Sequence, residues 1–221
     1  MEAQARRLPQ PRTLAQEIDD ILAELIVGGQ LQPGQKLQEE QLCSEYGFTR
    51  TPLREAMHAL ASRGLLEYFP NRGCRVRVIG AAELIQIYQA REALEGMAAR
   101  LLAANVTDEQ IARLRGLAEV ILTGPVTAES MAADWQLHTR IADWSGNAVI
   151  RELLLTPQVL TRAMLGSQTS PVIPPAPTSD HRLVVEAIAS REPERAEAAM
   201  RAHLRGAAER TLASFEALSG A

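Results

Sequence analysis

The sequence predicts a mainly α-helical protein in two parts. Three helices and a β-hairpin occupy residues 13–79, and an all-helical bundle occupies residues 80–221. Two observations carry the division. Apolar residues recur at helical spacing through most of the 221 residues. Only Leu65–Phe69 and Cys74–Ile79 read as strands, joined by Pro70-Asn71-Arg72-Gly73, with Cys74, Val76 and Val78 alternating against Arg75 and Arg77. Aromatics make up only 4% of a chain that is 46% hydrophobic, which suits a Leu/Ala-rich helical interior.

Residues 1–12, polar with Pro9 and Pro11, read as a flexible arm. Thr13–Val27 is the first helix. Thr13 and Gln16 have capping-box spacing, and Leu14, Ile18, Ile21, Leu22, Leu25 and Ile26 form the apolar stripe. Leu31–Leu37 reads as a turn, and Gln38–Tyr46 as a short helix ended by Gly47. The third helix, Arg50–Arg63, has Thr49 or Thr51 to cap it and Pro52 in its first turn. Leu53, Ala56, Met57 and Leu60 fall on one face, Arg50 and Arg54 lie away from it, and Gly64 ends the helix. Helix, short helix, tight turn, helix, hairpin is the order of a winged helix-turn-helix.

Charge supports that reading. Residues 47–79 hold six arginines against two glutamates, in a chain of formal net charge -4. A cationic surface on an acidic protein points to a polyanion such as double-stranded DNA. No apolar run is long enough to span a bilayer, the N-terminus shows no signal-peptide pattern, and Cys43 and Cys74 suit reduced thiols in a cytoplasm.

The blocks Leu31–Leu42, Thr49–Met57, Gly64–Leu66 and Asn71–Gly73 resemble the DNA-binding domain of the GntR family of bacterial transcription regulators. The resemblance covers residues 14–78. It implies that Arg50, Thr51 and Arg54 contact bases or phosphates, and that Arg72 and Gly73 form the tip of the wing. An arginine can grip guanine through two hydrogen bonds. The family usually shows Val-Ser before Arg-Thr-Pro. Here Phe48-Thr49 stands in that place, keeping an apolar anchor and a hydroxyl at Thr49. His58, one turn beyond Arg54, reads as an ordinary helix-surface residue.

In the second part, helices are predicted over Ala81–Ala104, Thr107–Leu122, Ala128–Trp144, Asn147–Gly166, Ser179–Ser190 and Pro193–Leu218. Thr107 and Gln110 have capping-box spacing, and Ser167–Ser179, with four prolines, is a loop. Leu84, Ile87, Tyr88, Leu94, Met97, Ala98 and Leu101 are the expected apolar series of the first of these helices.

Three of the four histidines sit in this bundle. Asp134 and His138, four residues apart, project from one helix face, and His181 and His203 come from two later helices. Three imidazoles and a carboxylate suit a divalent transition metal: Zn, Ni, Fe or Mn. The blocks Arg91–Arg100, Asp134–His138, Ser145–Asn147, Asp180–His181 with Val185–Ile188, and Ala196–His203 resemble the helical effector domain, FCD, of the FadR subfamily of GntR regulators. The resemblance implies Asp134, His138, His181 and His203 as metal ligands, with a small carboxylic acid as effector beside the metal. Arg91 and Asn147 are the candidate effector contacts. The competing role for Arg91 is an ion pair with Glu95 on the same helix. Asp180 stands where the family has glutamate and is a candidate partner of the third ligand.

The resemblance implies a ligand-responsive regulator, a repressor acting as a homodimer on operator DNA, and the expectation is no membrane partner and no enzymatic activity. A metal sensor is the alternative, and a metal-dependent enzyme carrying a DNA-binding domain is a more distant one.

Overall fold

The computed structural model describes residues 12–69, 73–122, 127–167 and 179–219. The arm and the tip of the hairpin, with Arg72, lie outside the described residues, as does the Pro-rich loop. The chain divides into two compact units, residues 1–78 and 79–221.

In the first unit, α1 (Leu14–Val27) begins at the predicted capping box. Thr13 Oγ1 accepts from the Gln16 amide at 3.2 Å, and the Gln16 side chain accepts from the Thr13 amide at 2.9 Å. Ile18, Leu22 and Ile26 are buried, but Leu14 and Ile21 are exposed. The buried face centres on Leu22, and Leu14 and Ile21 fall on its flank. That face packs on α3 (Arg50–Ser62), whose Leu53, Ala56, Met57 and Leu60 are all buried. Full burial of leucines such as Leu22, Leu53 and Leu60 contributes roughly 1.5–3 kcal/mol each. α2 (Glu39–Tyr46) packs against α3 as well.

α3 ends in a Schellman motif. The Leu65 amide donates to Leu60 O and the Gly64 amide to Ala61 O, with Gly64 in the left-handed region at φ 73°. A β-carbon there would also meet Arg77 Nη1 at 2.8 Å. Gly64→Ala should therefore cost about 1–2 kcal/mol, read as a lower denaturation midpoint; an unchanged midpoint would mean the turn relaxes freely.

The expected hairpin is part of a three-stranded antiparallel sheet in the order β1-β3-β2. β2 (Leu66–Phe69) pairs with β3 (Gly73–Val76), setting Tyr68 opposite Cys74 and Glu67 opposite Arg75. The additional strand is β1 (Lys36–Leu37), which was expected as turn; Leu37 lies opposite Cys74. β3 ends at Val76, earlier than expected, although Val76 still bonds the backbone of Gly34 and Gln35 and the Arg77 amide donates to Leu65 O. Val78 is correspondingly exposed rather than part of the apolar face. Burial pushes the Cys74 thiol up to about 11, so it is an inert core residue.

The second unit comprises α4 (Ala81–Ala103), α5 (Asp108–Leu122), α6 (Ala128–Trp144), α7 (Ala148–Ser167), α8 (Ser179–Ala189) and α9 (Pro193–Ser219). Each lies within a residue or two of its predicted span. The caps explain that agreement: Thr107 with Gln110 starts α5, Thr127 with Ser130 starts α6, and Asn147 starts α7. α4 and α9 form the central packed pair, and α6, α7 and α8 also touch α4.

The register of α4 differs from expectation. Its buried stripe is Leu84, Tyr88, Arg91, Glu95, Ala98 and Leu102, whereas Met97 is exposed and Leu94 and Leu101 are only half-buried. The stripe keeps helical spacing by running through two charged residues, which bond each other inside the bundle. Gly96 adds a close approach, since a β-carbon there would lie 2.9 Å from Arg201 Cγ of α9.

Candidate metal centre and nucleic-acid interface

α6 presents Asp134 and His138 on one face, α8 contributes His181 and α9 contributes His203. All three imidazoles are buried, and their ligating atoms lie within 4.8 Å of one another. The rings crowd together, with centroids 4.4 Å apart for His181 and His203 and 5.2 Å for His138 and His203. Asp134, on the half-exposed edge, places Oδ1 2.7 Å from His181 Nε2 and 3.9 Å from His138 Nε2. Thus the structure brings together all four predicted ligands.

Buried nitrogens test whether this cluster fits a metal. His181 Nδ1 and Nε2 and His203 Nδ1 have no hydrogen-bond partner. His181 Nε2 has the Asp134 carboxylate 2.7 Å away, so the nitrogens left with nothing near them are His181 Nδ1 and His203 Nδ1. An orphaned buried polar atom costs about 1–3 kcal/mol, so a nest of them calls for an occupant. Donors around one ion with bonds of about 2.1 Å lie at most about 4.2 Å apart, within a small side-chain adjustment of the spacing seen. Burial, with His181 and His138 adding to it, holds His203 well below the usual histidine range. Neutral imidazole is the form that binds a metal. The donor set fits a divalent transition ion on chemistry and on geometry.

Beneath the cluster lies the charged pair Arg91 and Glu95, which reaches further than the local ion pair weighed against an effector contact for Arg91. Glu95, 1% exposed, places Oε1 2.7 Å from Arg91 Nε and Oε2 2.5 Å from His138 Nδ1. Burial alone would raise the Glu95 carboxyl, but Arg91 and His138 outweigh it and hold it well below the usual carboxylate range. A carboxylate accepts, so His138 Nδ1–H donates to Glu95, and Nε2 is the ring nitrogen on the side of Asp134. Glu95 was legible through one signal, an i,i+4 acid–base pair set between the apolar positions Tyr88 and Ala98. Arg91 thus makes the competing ion pair with Glu95, and its guanidinium also lies 5.5 Å from the Tyr88 ring centroid. The Tyr88 hydroxyl meets Thr211 Oγ1 at 3.1 Å, a buried polar link between α4 and α9.

Two of the expected polar residues have local partners. Asn147 Oδ1 accepts from the Val149 and Ile150 amides at 3.1 Å each, so its side chain serves as the cap of α7. Asp180 pairs with Arg210 at 3.1 Å rather than with an imidazole.

On the first unit, Thr49 precedes α3 with extended backbone but makes no side-chain capping bond, and Arg50, Thr51 and Arg54 are all exposed on its first turns. Gly73 opens β3 at φ 85°. His58 is exposed and stacks on Tyr68 at 4.7 Å. The cations of β3 are partly engaged: Arg75 and Arg77 both reach Glu67, and Arg75 also lies over Phe69.

The family model described as "Bacterial regulatory proteins, gntR family" matches residues 14–76, and the FCD domain model matches residues 86–206. The chain belongs to the GntR family. A relative in Paenarthrobacter nicotinovorans, named "Probable D-xylose utilization operon transcriptional repressor", is 31% identical over 92% of this chain and 91% of its own length. The transcriptional repressor GlaR of Escherichia coli is 29% identical, covering 81% of this chain and 87% of its own. Among solved structures, E. coli McbR/YncC superimposes with a TM-score of 0.78 at 23% identity, over 88% of this chain and 95% of that one, a likeness of fold. The GntR match with the cationic start of α3 makes this a bacterial DNA-binding transcription regulator and not an enzyme. Among the described residues, no helix is long and apolar enough to cross a membrane.

Proposed function

We propose that this GntR regulator is a cytoplasmic repressor that leaves its operator when a small carboxylic acid binds beside a divalent metal. The observation that carries the reading is the cluster of three buried imidazoles with orphaned nitrogens and Asp134 at its edge. Asp134, His138, His181 and His203 would hold the ion. When bound, it supplies open coordination positions that take a carboxylate oxygen. Glu95 orients His138 and keeps Arg91 charged and in place, and we assign Arg91 to the far end of the acid. Two copies of the chain would set two α3 helices on a two-fold operator, with Arg50, Thr51 and Arg54 at the bases or phosphates and Thr49, Arg72 and Gly73 beside them. The acid acts only by favouring one dimer geometry over another.

The test is binding of the full chain to its own upstream DNA, with and without EDTA, across a panel of small carboxylic acids. Specific binding released by one acid, with the response lost in EDTA, is the expected result. Release by metal alone would make the ion the effector. Binding indifferent to both would remove this account of the helical unit.

A further inference from the structure

Arg54, on the exposed face of α3, is held by Glu39, the first residue of α2. Its Nε lies 2.9 Å from Glu39 Oε1 and 2.8 Å from Oε2, one N–H shared by both oxygens of one carboxylate. The Arg54 side chain is 59% exposed and that of Glu39 32%. Ion pairs this wet contribute little to stability, so stability is a weak account of so close an arrangement.

The geometry has a more specific consequence. A carboxylate on the Nε side leaves the end-on edge of the guanidinium, its two Nη groups, facing away from Glu39. Two parallel N–H groups match the O6 and N7 acceptors of guanine. Glu39 also cancels the local charge, which weakens Arg54 as an indiscriminate phosphate contact. Glu39 sits in the first turn of α2, where the helix dipole favours an acid.

We infer that Glu39 is a positioning residue for DNA readout: it fixes the orientation of Arg54 and trades non-specific affinity for base discrimination. This rests on the proposed role of Arg54 at the bases.

The test selects sequences from a randomised duplex pool with the full-length protein, at one fixed salt concentration, then measures affinity for the selected site and for single-base variants. Arg54→Ala should flatten preference at one position in each half-site. Glu39→Gln should lower discrimination at that same position by roughly tenfold, while affinity for random-sequence DNA holds or rises because a negative charge is gone. Glu39→Asp, which keeps the charge with a shorter reach, should fall between. A merely structural role for Glu39 would lower binding to all sequences alike. Discrimination within about twofold of the parent protein in Glu39→Gln, with the Arg54→Ala effect intact, overturns the inference alone. Undiminished preference in Arg54→Ala overturns the base-contact reading beneath it.

Discussion

Metal-stripped protein titrated with Zn, Ni or Mn should gain about 10 °C in melting temperature with at least one of them, and the gain should vanish in His138→Ala/His203→Ala. A ligand at about a thousand times its Kd stabilises by about 4 kcal/mol, and a domain of this size moves about 2–4 °C per kcal/mol. The gain is expected to be large because the ion would join three buried imidazoles and Asp134, in a cluster where His181 Nδ1 and His203 Nδ1 have no hydrogen-bond partner. Both tryptophans, Trp135 and Trp144, lie on α6, so fluorescence reports the unit that holds the site. His138→Gln alone keeps a polar side chain of similar reach and guards against a variant that simply fails to fold. A melting temperature indifferent to every divalent ion, with no stoichiometric metal by elemental analysis, would sink the metal reading.

The helices of the second unit were legible because their ends are chemically marked. Thr107 with Gln110 starts one, Asn147 starts another, and hydroxyl or glycine breaks separate the rest. β1 was not legible, since two residues, Lys36 and Leu37, are too few to show alternation. Its pairing is decided by Val76 meeting Gly34 and Gln35, a contact far apart in sequence. The register of α4 was misread for a different reason. Arg91 and Glu95 count as polar in any periodicity, so Leu94, Met97 and Leu101 appeared to continue the apolar series. Burial of a charged pair breaks the pattern where the site is built, and local rules commonly fail at such places. His138, His181 and His203 could be named as candidates from the chain, but their convergence depends on how α6, α8 and α9 pack.

Glu95→Ala should cost about 3–5 kcal/mol of stability, among the largest effects of any single change in the helical unit. Arg91 is 7% exposed and would keep its charge in the bundle without its partner, and His138 Nδ1 would lose its acceptor. Chemical denaturation followed by tryptophan fluorescence would read the loss, and a change below about 1 kcal/mol would mean that water or another group takes over the role. Metal affinity should fall as well, by about 10–100-fold, since partners that fix a ligating imidazole carry that much. The two effects separate in the double variant Arg91→Met/Glu95→Gln. Replacing a buried ion pair by an apolar group and a neutral one of similar volume can be close to neutral for stability, so most of the folding free energy should return. Metal affinity should stay low, because a neutral amide on His138 Nδ1 does not raise the basicity of Nε2 as a carboxylate does. Recovery of both together would mean that Glu95 serves only to neutralise Arg91. Recovery of stability alone would assign it a second task, holding His138 for the ion.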